Sequence, residues 1–335
     1  MMPHSQKFLF VGVLLLSVFF VHRDFSQYAK APSDYAREAA NASLPSVFLP
    51  ETPPSEAFIP GPKGGELIEH PSLDSAVDIR PAPFVPSGGD LTVPRIEASV
   101  ALVADLSSGE QYYNFHGEKR WPIASISKLM TAAVVLENIG TEQVITISER
   151  DIEPETAVRM VNPGERYSAY DLLRIMLLAS SNEAADAFAN FYGKPEFIDR
   201  MNELAEVWGL RDTFFADPTG LSPANQSTAA DLVLMARALY NRYPEVFRIT
   251  REPRIAVTER TSGTDKAIQN INLFSGRDDF LGGKTGYTDQ SQGNLLSLFS
   301  HDGRTVVLVV FGAADRFGET EKLNRWFKNA FSASR

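Results

Sequence analysis

The 335-residue chain contains no cysteine. That excludes disulfides, thiolate metal sites and a cysteine nucleophile together, and it is compatible with export to an oxidising compartment. Histidine is scarce, with 5 in the chain. Only His116 and His301 fall in the region patterned as folded. Two histidines without cysteine leave no clear zinc ligand set. His116 at a hairpin end and His301 in a turn give poor support to a Ser-His-Asp hydrolase. No metal and no other cofactor is expected. Positive charge is also short, because Lys and Arg total 32 against 42 Asp and Glu, a net charge of −10. No basic patch stands out, so no nucleic-acid partner is expected. Long apolar runs are lacking too. The "FLFVGVLLLSVFFV" of residues 8–21, behind His4 and Lys7, is short for a membrane span and has the length of a signal-peptide core. Small residues at Ala29 and Ala31, and at Ala40 and Ala42, offer cleavage sites, although Pro32 disfavours the first. Residues 1–25 are therefore expected to be a signal peptide or an N-terminal membrane anchor, with the rest outside the cytoplasm, in the periplasm or on the outer face of the membrane.

Proline, by contrast, is concentrated. Eleven of the 21 prolines lie in residues 45–94. Proline fixes φ and lacks a donor, so this stretch can form neither helix nor central strand. Residues 26–95 are expected to be an extended tether, and 96–335 one folded catalytic domain. "ASVALVADL" alternates, "SSGE" turns and "QYYNF" returns, which predicts a β-hairpin. Five helices follow: about 125–139, ended by Gly140; one within "GERYSAYDLLRIMLLA", opened by Ser168 and Asp171; "NEAADAFANFYG"; one from Pro195 to Gly209; and one opened by Thr228 and Asp231. The strands "RIAVTE", "DDFLGGKTG", "QGNLLSLFS" and "RTVVLVVFGA" come next, the last two joined by "HDGR", and "ETEKLNRWFKNAF" closes as an amphipathic helix. The expected fold class is α/β of the α+β type. An antiparallel sheet is built from both ends of the domain and flanked by helices. An all-helical lobe is inserted between them, with the active site in the cleft.

Three motifs carry chemistry. In "PIASISKLMTAA", Ser125 and Lys128 stand three apart at a helix start, so hydroxyl and amine share a face. Burial beside "LMTAAVVL" and the positive helix end disfavour the ammonium, and a lysine lowered in pKa can take the proton of a nucleophilic serine. "ASSNEAA" sets Ser180 and Asn182 at a junction between helices, where a kink can aim a hydroxyl and an amide into a cleft. "GGKTGYT" puts Lys284, Thr285 and Gly286 on a strand; Lys284 and Gly286 share a face, and glycine there admits a close approach.

These motifs, in that order, resemble the serine D-alanyl-D-alanine carboxypeptidases, the low-molecular-mass penicillin-binding proteins. The resemblance rests on "ASISKLMTA", "ASSNEAADAFA", "DPTGLSPANQSTAADLVLMARAL", "GGKTGYTDQSQGNLL" and "DRFGETEKLNRWFKNAF", and covers about residues 96–332. It implies Ser125 as nucleophile on the bond between two D-alanines of a peptidoglycan stem peptide, with Lys128 as general base. Ser180 would relay a proton to the leaving amine, and Asn182 would hold Lys128 and the substrate amide. Lys284 and Thr285 would bind the terminal carboxylate. Gly286 belongs to the same strand motif, and the backbone N–H groups of Ser125 and Tyr287 would form the oxyanion hole. Arg316 is a further carboxylate contact. β-Lactams would trap Ser125. The alternatives are a D,D-endopeptidase that cuts cross-links, a class A-like β-lactamase, and a penicillin-sensing module without turnover. The β-lactamase needs a Glu-x-x-x-Asn loop, and no glutamate between Asn182 and Lys284 has asparagine four residues on.

Overall fold

The protein is described by a computed structural model, over residues 83–152 and 159–333. The expected signal or anchor, and residues 26–82 of the expected tether, lie outside the described residues. In chain order the elements begin with β1 (Phe84–Pro86), β2 (Val100–Asp105), β3 (Gln111–Phe115) and β4 (Trp121–Pro122). A 3₁₀ turn (Ala124–Ser127) runs into α1 (Lys128–Val134) and a π turn (Val135–Ile139). Then come β5 (Val144–Thr146), β6 (Arg166–Ser168), α2 (Ala169–Leu178), α3 (Asn182–Tyr192), α4 (Lys194–Val207), β7 (Gln226–Ser227), α5 (Ala229–Arg242) and α6 (Glu245–Arg251). The chain closes with β8 (Arg254–Thr258), β9 (Asp265–Gln269), β10 (Phe280–Thr288), β11 (Gln292–His301), β12 (Arg304–Ala313), α7 (Arg316–Ala330) and β13 (Phe331–Ala333).

The main sheet has the order β10-β11-β12-β2-β3, antiparallel throughout. It joins strands from both ends of the domain, as expected. The six residues of β2 are all buried, where one-sided burial would leave alternate residues exposed. The cause is a cover on each face. Val100, Leu102 and Ala104 point with Leu296, Val307 and Val309 into the core shared with the helices between β4 and β8. Ala101 and Val103 point with Leu295, Val306 and Leu308 into a second core under α7. Apolar residues of both parities are what a doubly covered strand requires. The β11–β12 turn carries Asp302 and Gly303 at φ 49° and 76°, the two left-handed residues that a tight hairpin needs.

The helix-start signals act as written in the sequence. Ser168 accepts from the Asp171 amide and Thr228 from the Asp231 amide. Gly140, at φ 80°, ends the first helical run. That run is one expected helix made of three pieces, 3₁₀, α and π. Outside the expected order lie the short strands β4, β5, β6, β7 and β13, the helix α6, and β9, which pairs with β8 in a hairpin apart from the main sheet. Strand β1 falls inside the stretch expected to be tether. Among the described residues it pairs only with β13, the kind of peripheral place that Pro86 allows. Phe84 is 4% exposed, its ring 5.1 Å from that of Phe327 and 5.7 Å from that of Tyr112.

Candidate active site

Three segments converge where edge strand β10 meets the helical lobe. The first is the 3₁₀ turn before α1. Ala124 holds φ +50°, a left-handed conformation that costs a non-glycine residue about 1 kcal/mol. It turns the chain so that Ser125 is half-buried while its neighbours Ala124 and Ile126 are buried. One turn on, Lys128 is fully buried at the head of α1. Its Nζ donates to Ser125 Oγ at 3.0 Å, to Asn182 Oδ1 at 2.7 Å and to the Thr219 carbonyl at 2.6 Å. All three donors of an ammonium have acceptors, yet burial pushes the group down to about 7, against an opposing pull from Asp217, Asp186 and Glu183. Near neutral pH a large share of Lys128 is then a free amine beside a hydroxyl.

The second segment is the α2–α3 junction. Ser180 holds φ +59°, which aims its hydroxyl at the strand. Lys284 Nζ donates to Ser180 Oγ at 2.8 Å and to the Thr285 carbonyl at 3.0 Å. Ser181 caps α3 by accepting from the Ala184 amide at 3.2 Å, and Asn182 reaches Lys128 from the first turn.

The third is β10. Lys284 is 1% exposed, and burial lowers its pKa well below the usual lysine range, with further repulsion from Lys128 and Arg316. Gly286 was expected to leave space for a ligand. A Cβ there would instead stand 2.7 Å from the Ile123 carbonyl and 3.3 Å from Ser125 N. The missing side chain lets the strand sit against the Ser125 turn. Arg316 is half-buried and donates from Nη1 to the Gly286 carbonyl at 2.9 Å. Thr285 enters through its carbonyl, and its side chain makes no hydrogen bond among the described residues. Tyr287 is 58% exposed and lines an open cavity of about 270 Å³ with Gly293 and Arg316.

The "DPTG" loop, outside the three motifs, supplies a further part of the site. Asp217 Oδ1 accepts from the amides of Thr219 and Gly220 and from Thr219 Oγ1, and Oδ2 accepts from Ser222 N at 2.8 Å. That knot presents the Thr219 carbonyl to Lys128. Asn225 ties the loop to α1's approach, with Nδ2 donating to Ser127 Oγ at 2.9 Å and to the Asp217 carbonyl. Asp-Pro-Thr-Gly reads as a turn from its residues alone; what the turn faces does not. Among the described residues there is no group of acidic or histidine side chains that could hold a metal ion.

Residues 89–315 match the family model described as D-alanyl-D-alanine carboxypeptidase. The D-alanyl-D-alanine endopeptidase of Pseudomonas aeruginosa is 32% identical over 267 residues, 77% of this chain and 84% of that protein. The D-alanyl-D-alanine carboxypeptidase DacB2 of Mycobacterium tuberculosis is 30% identical, over 72% of this chain and 82% of that protein. The crystal structure of penicillin-binding protein D2 from Listeria monocytogenes in its cefotaxime-bound form superposes with a TM-score of 0.63 at 28% identity, covering 70% of this chain and 98% of that one.

Proposed function

The chain belongs to the D-alanyl-D-alanine carboxypeptidase family, and from that premise we propose that it removes the terminal D-alanine of peptidoglycan stem peptides by acylating Ser125. The supporting observation is the 3.0 Å contact between Ser125 Oγ and a fully buried Lys128 Nζ whose neutral form is favoured. In the first step the amine takes the hydroxyl proton while Oγ bonds to the carbonyl carbon between the two D-alanines. The carbonyl electron pair moves onto oxygen, toward the Ser125 and Tyr287 amides. The C–N bond then breaks, and Ser180 relays to the departing amine the proton that Lys128 took, so that both end as they began. Water repeats the sequence in reverse and frees Ser125. Arg316 supplies positive charge for the substrate's terminal carboxylate, and Lys284, which gains an anionic partner there, donates to it, with Thr285 beside them and Gly286 holding the strand at attack distance. Asn182 anchors Lys128 and offers its amide to the peptide. A peptidoglycan substrate fits a domain outside the cytoplasm, and this reading keeps residues 1–25 as signal or anchor ahead of the tether expected over residues 26–95. Among the described residues no helix is long and apolar enough to cross a membrane.

β-Lactams would stop at the acyl stage. Incubation with a fluorescent penicillin and with a pentapeptide ending in D-Ala-D-Ala tests this: stable labelling of Ser125 and release of D-alanine are expected. Labelling that persists in Ser125→Ala sinks the nucleophile. A second reading, cleavage of D-alanyl cross-links, is favoured by the similarity to the P. aeruginosa endopeptidase. Release of product only from cross-linked peptide dimers would establish it.

A further inference from the structure

One buried carboxylate beside Lys128 has no part in the proposed reaction. Glu183 directly follows Asn182 on the first turn of α3 and is 2% exposed. Its Oε2 accepts from Ser181 Oγ at 2.7 Å. Ser181 has a single hydroxyl proton, and giving it to Glu183 leaves the oxygen's lone pairs for the Ala184 amide. Glu183 thereby fixes the rotamer of the α3 cap. That cap lies between Ser180 and Asn182, the two side chains that reach Lys284 and Lys128. Ser180 is left-handed, and a non-glycine residue stays in that conformation only where its surroundings hold it.

Charge adds a second effect. Among the described residues Glu183 Oε1 is buried without a hydrogen bond, and no Lys or Arg lies within ion-pair distance of the carboxylate. The other charged groups acting on Lys128 are already engaged. Asp186, farther along α3, pairs with Lys194 at 2.6 Å. Asp217, in the loop before β7, is saturated by backbone and hydroxyl donors. Lys128 and Arg316 both act on Lys284 of β10, which burial already pushes well below the usual lysine range. Glu183 is thus a buried carboxylate in the electrostatic surroundings of Lys128 with no ion-pair partner among the described residues.

We propose that Glu183 is a positioning residue for the reacting pair: it clamps the Ser180–Asn182 junction through Ser181 and holds a negative charge against Lys128. The proposal rests on the reading of Lys128 as the base.

The test is the rate of acylation by fluorescent penicillin against pH, in the full chain, for wild type, Glu183→Gln, Glu183→Ala and Ser181→Ala, with thermal melts to verify folding. Glutamine keeps an acceptor for Ser181 and loses the charge, so the rising limb of the profile is expected to move to lower pH by about half a unit or more. Glu183→Ala and Ser181→Ala loosen the junction and should lower the plateau rate at least about 10-fold, the serine variant without moving the limb. If Glu183→Ala fails to fold, Ser181→Ala carries the clamp test. A glutamine profile that coincides with wild type, or full plateau rates in the folded variants that loosen the junction, overturns the role of Glu183 and leaves that of Ser125 standing. Absence of labelling in wild type overturns both.

Discussion

Gly220→Ala tests whether the geometry of the Ser125 turn controls the rate. Gly220 has φ +84°, and a Cβ built on it would overlap the carbonyl of Ala124 and stand 2.9 Å from Ser125 N. Comfortable contact begins near about 3.5 Å, so the backbone at Ser125 must retreat by roughly 0.6 Å relative to that distance. Both partners are backbone, and no flexible side chain can absorb the shift. Displacement of a reacting group by about 1 Å can cost about 100-fold in rate, so acylation should slow about 10- to 100-fold. The left-handed φ costs alanine a further 1–2 kcal/mol or so, which lowers the melting temperature by roughly 2–8 °C. The assay is the second-order rate of fluorescent-penicillin labelling, read beside thermal unfolding. A folded variant that labels within about threefold of wild type would show that the placement of Ser125 does not depend on this contact, and the argument would fail.

Lys128→Met should fold and should not label at a measurable rate; in wild type the labelling rate should climb as pH rises through about 7, because the neutral amine is the active form. A rate that falls with rising pH over that range would contradict the assignment of the base. Ser180→Ala should slow acylation by about 100-fold or more while Lys284 keeps its bond to the Thr285 carbonyl; a normal rate would remove Ser180 from proton transfer. Phe84→Ala should cost about 3–4 kcal/mol of stability and leave labelling below the melting temperature unchanged. A fragment of residues 96–335 should accordingly melt lower than one of residues 83–335, and equal melting temperatures would show that β1 is dispensable.

The order of elements was legible because each signal is local. Ser168 and Thr228 cap their helices, Asp302 and Gly303 close their hairpin, and short apolar segments bounded by turn residues mark β2, β11 and β12 as strands. The motifs around Ser125, Ser180 and Lys284 were legible for a related reason: residue types and short spacings limit the chemistry a segment can offer. The strand β1 was hidden, because Pro83 and Pro86 read as tether; Phe84 becomes core only once α7 and β3 bring Phe327 and Tyr112 to it.

The sequence by itself determined the fold class, the absence of cysteine chemistry and the residues with which an acyl-transfer site could be built. Tertiary structure alone decided what each of them meets. It gave Lys128 the Thr219 carbonyl, 91 residues away, as a third acceptor; set Ser180 against Lys284; and filled the space beside Gly286 with the Ser125 turn rather than a ligand. The physical reason is range. Capping, turn geometry and periodicity act over a few residues and are written in order along the chain. Burial, and the proton affinity that follows from it, are summed over neighbours that only the completed fold brings together.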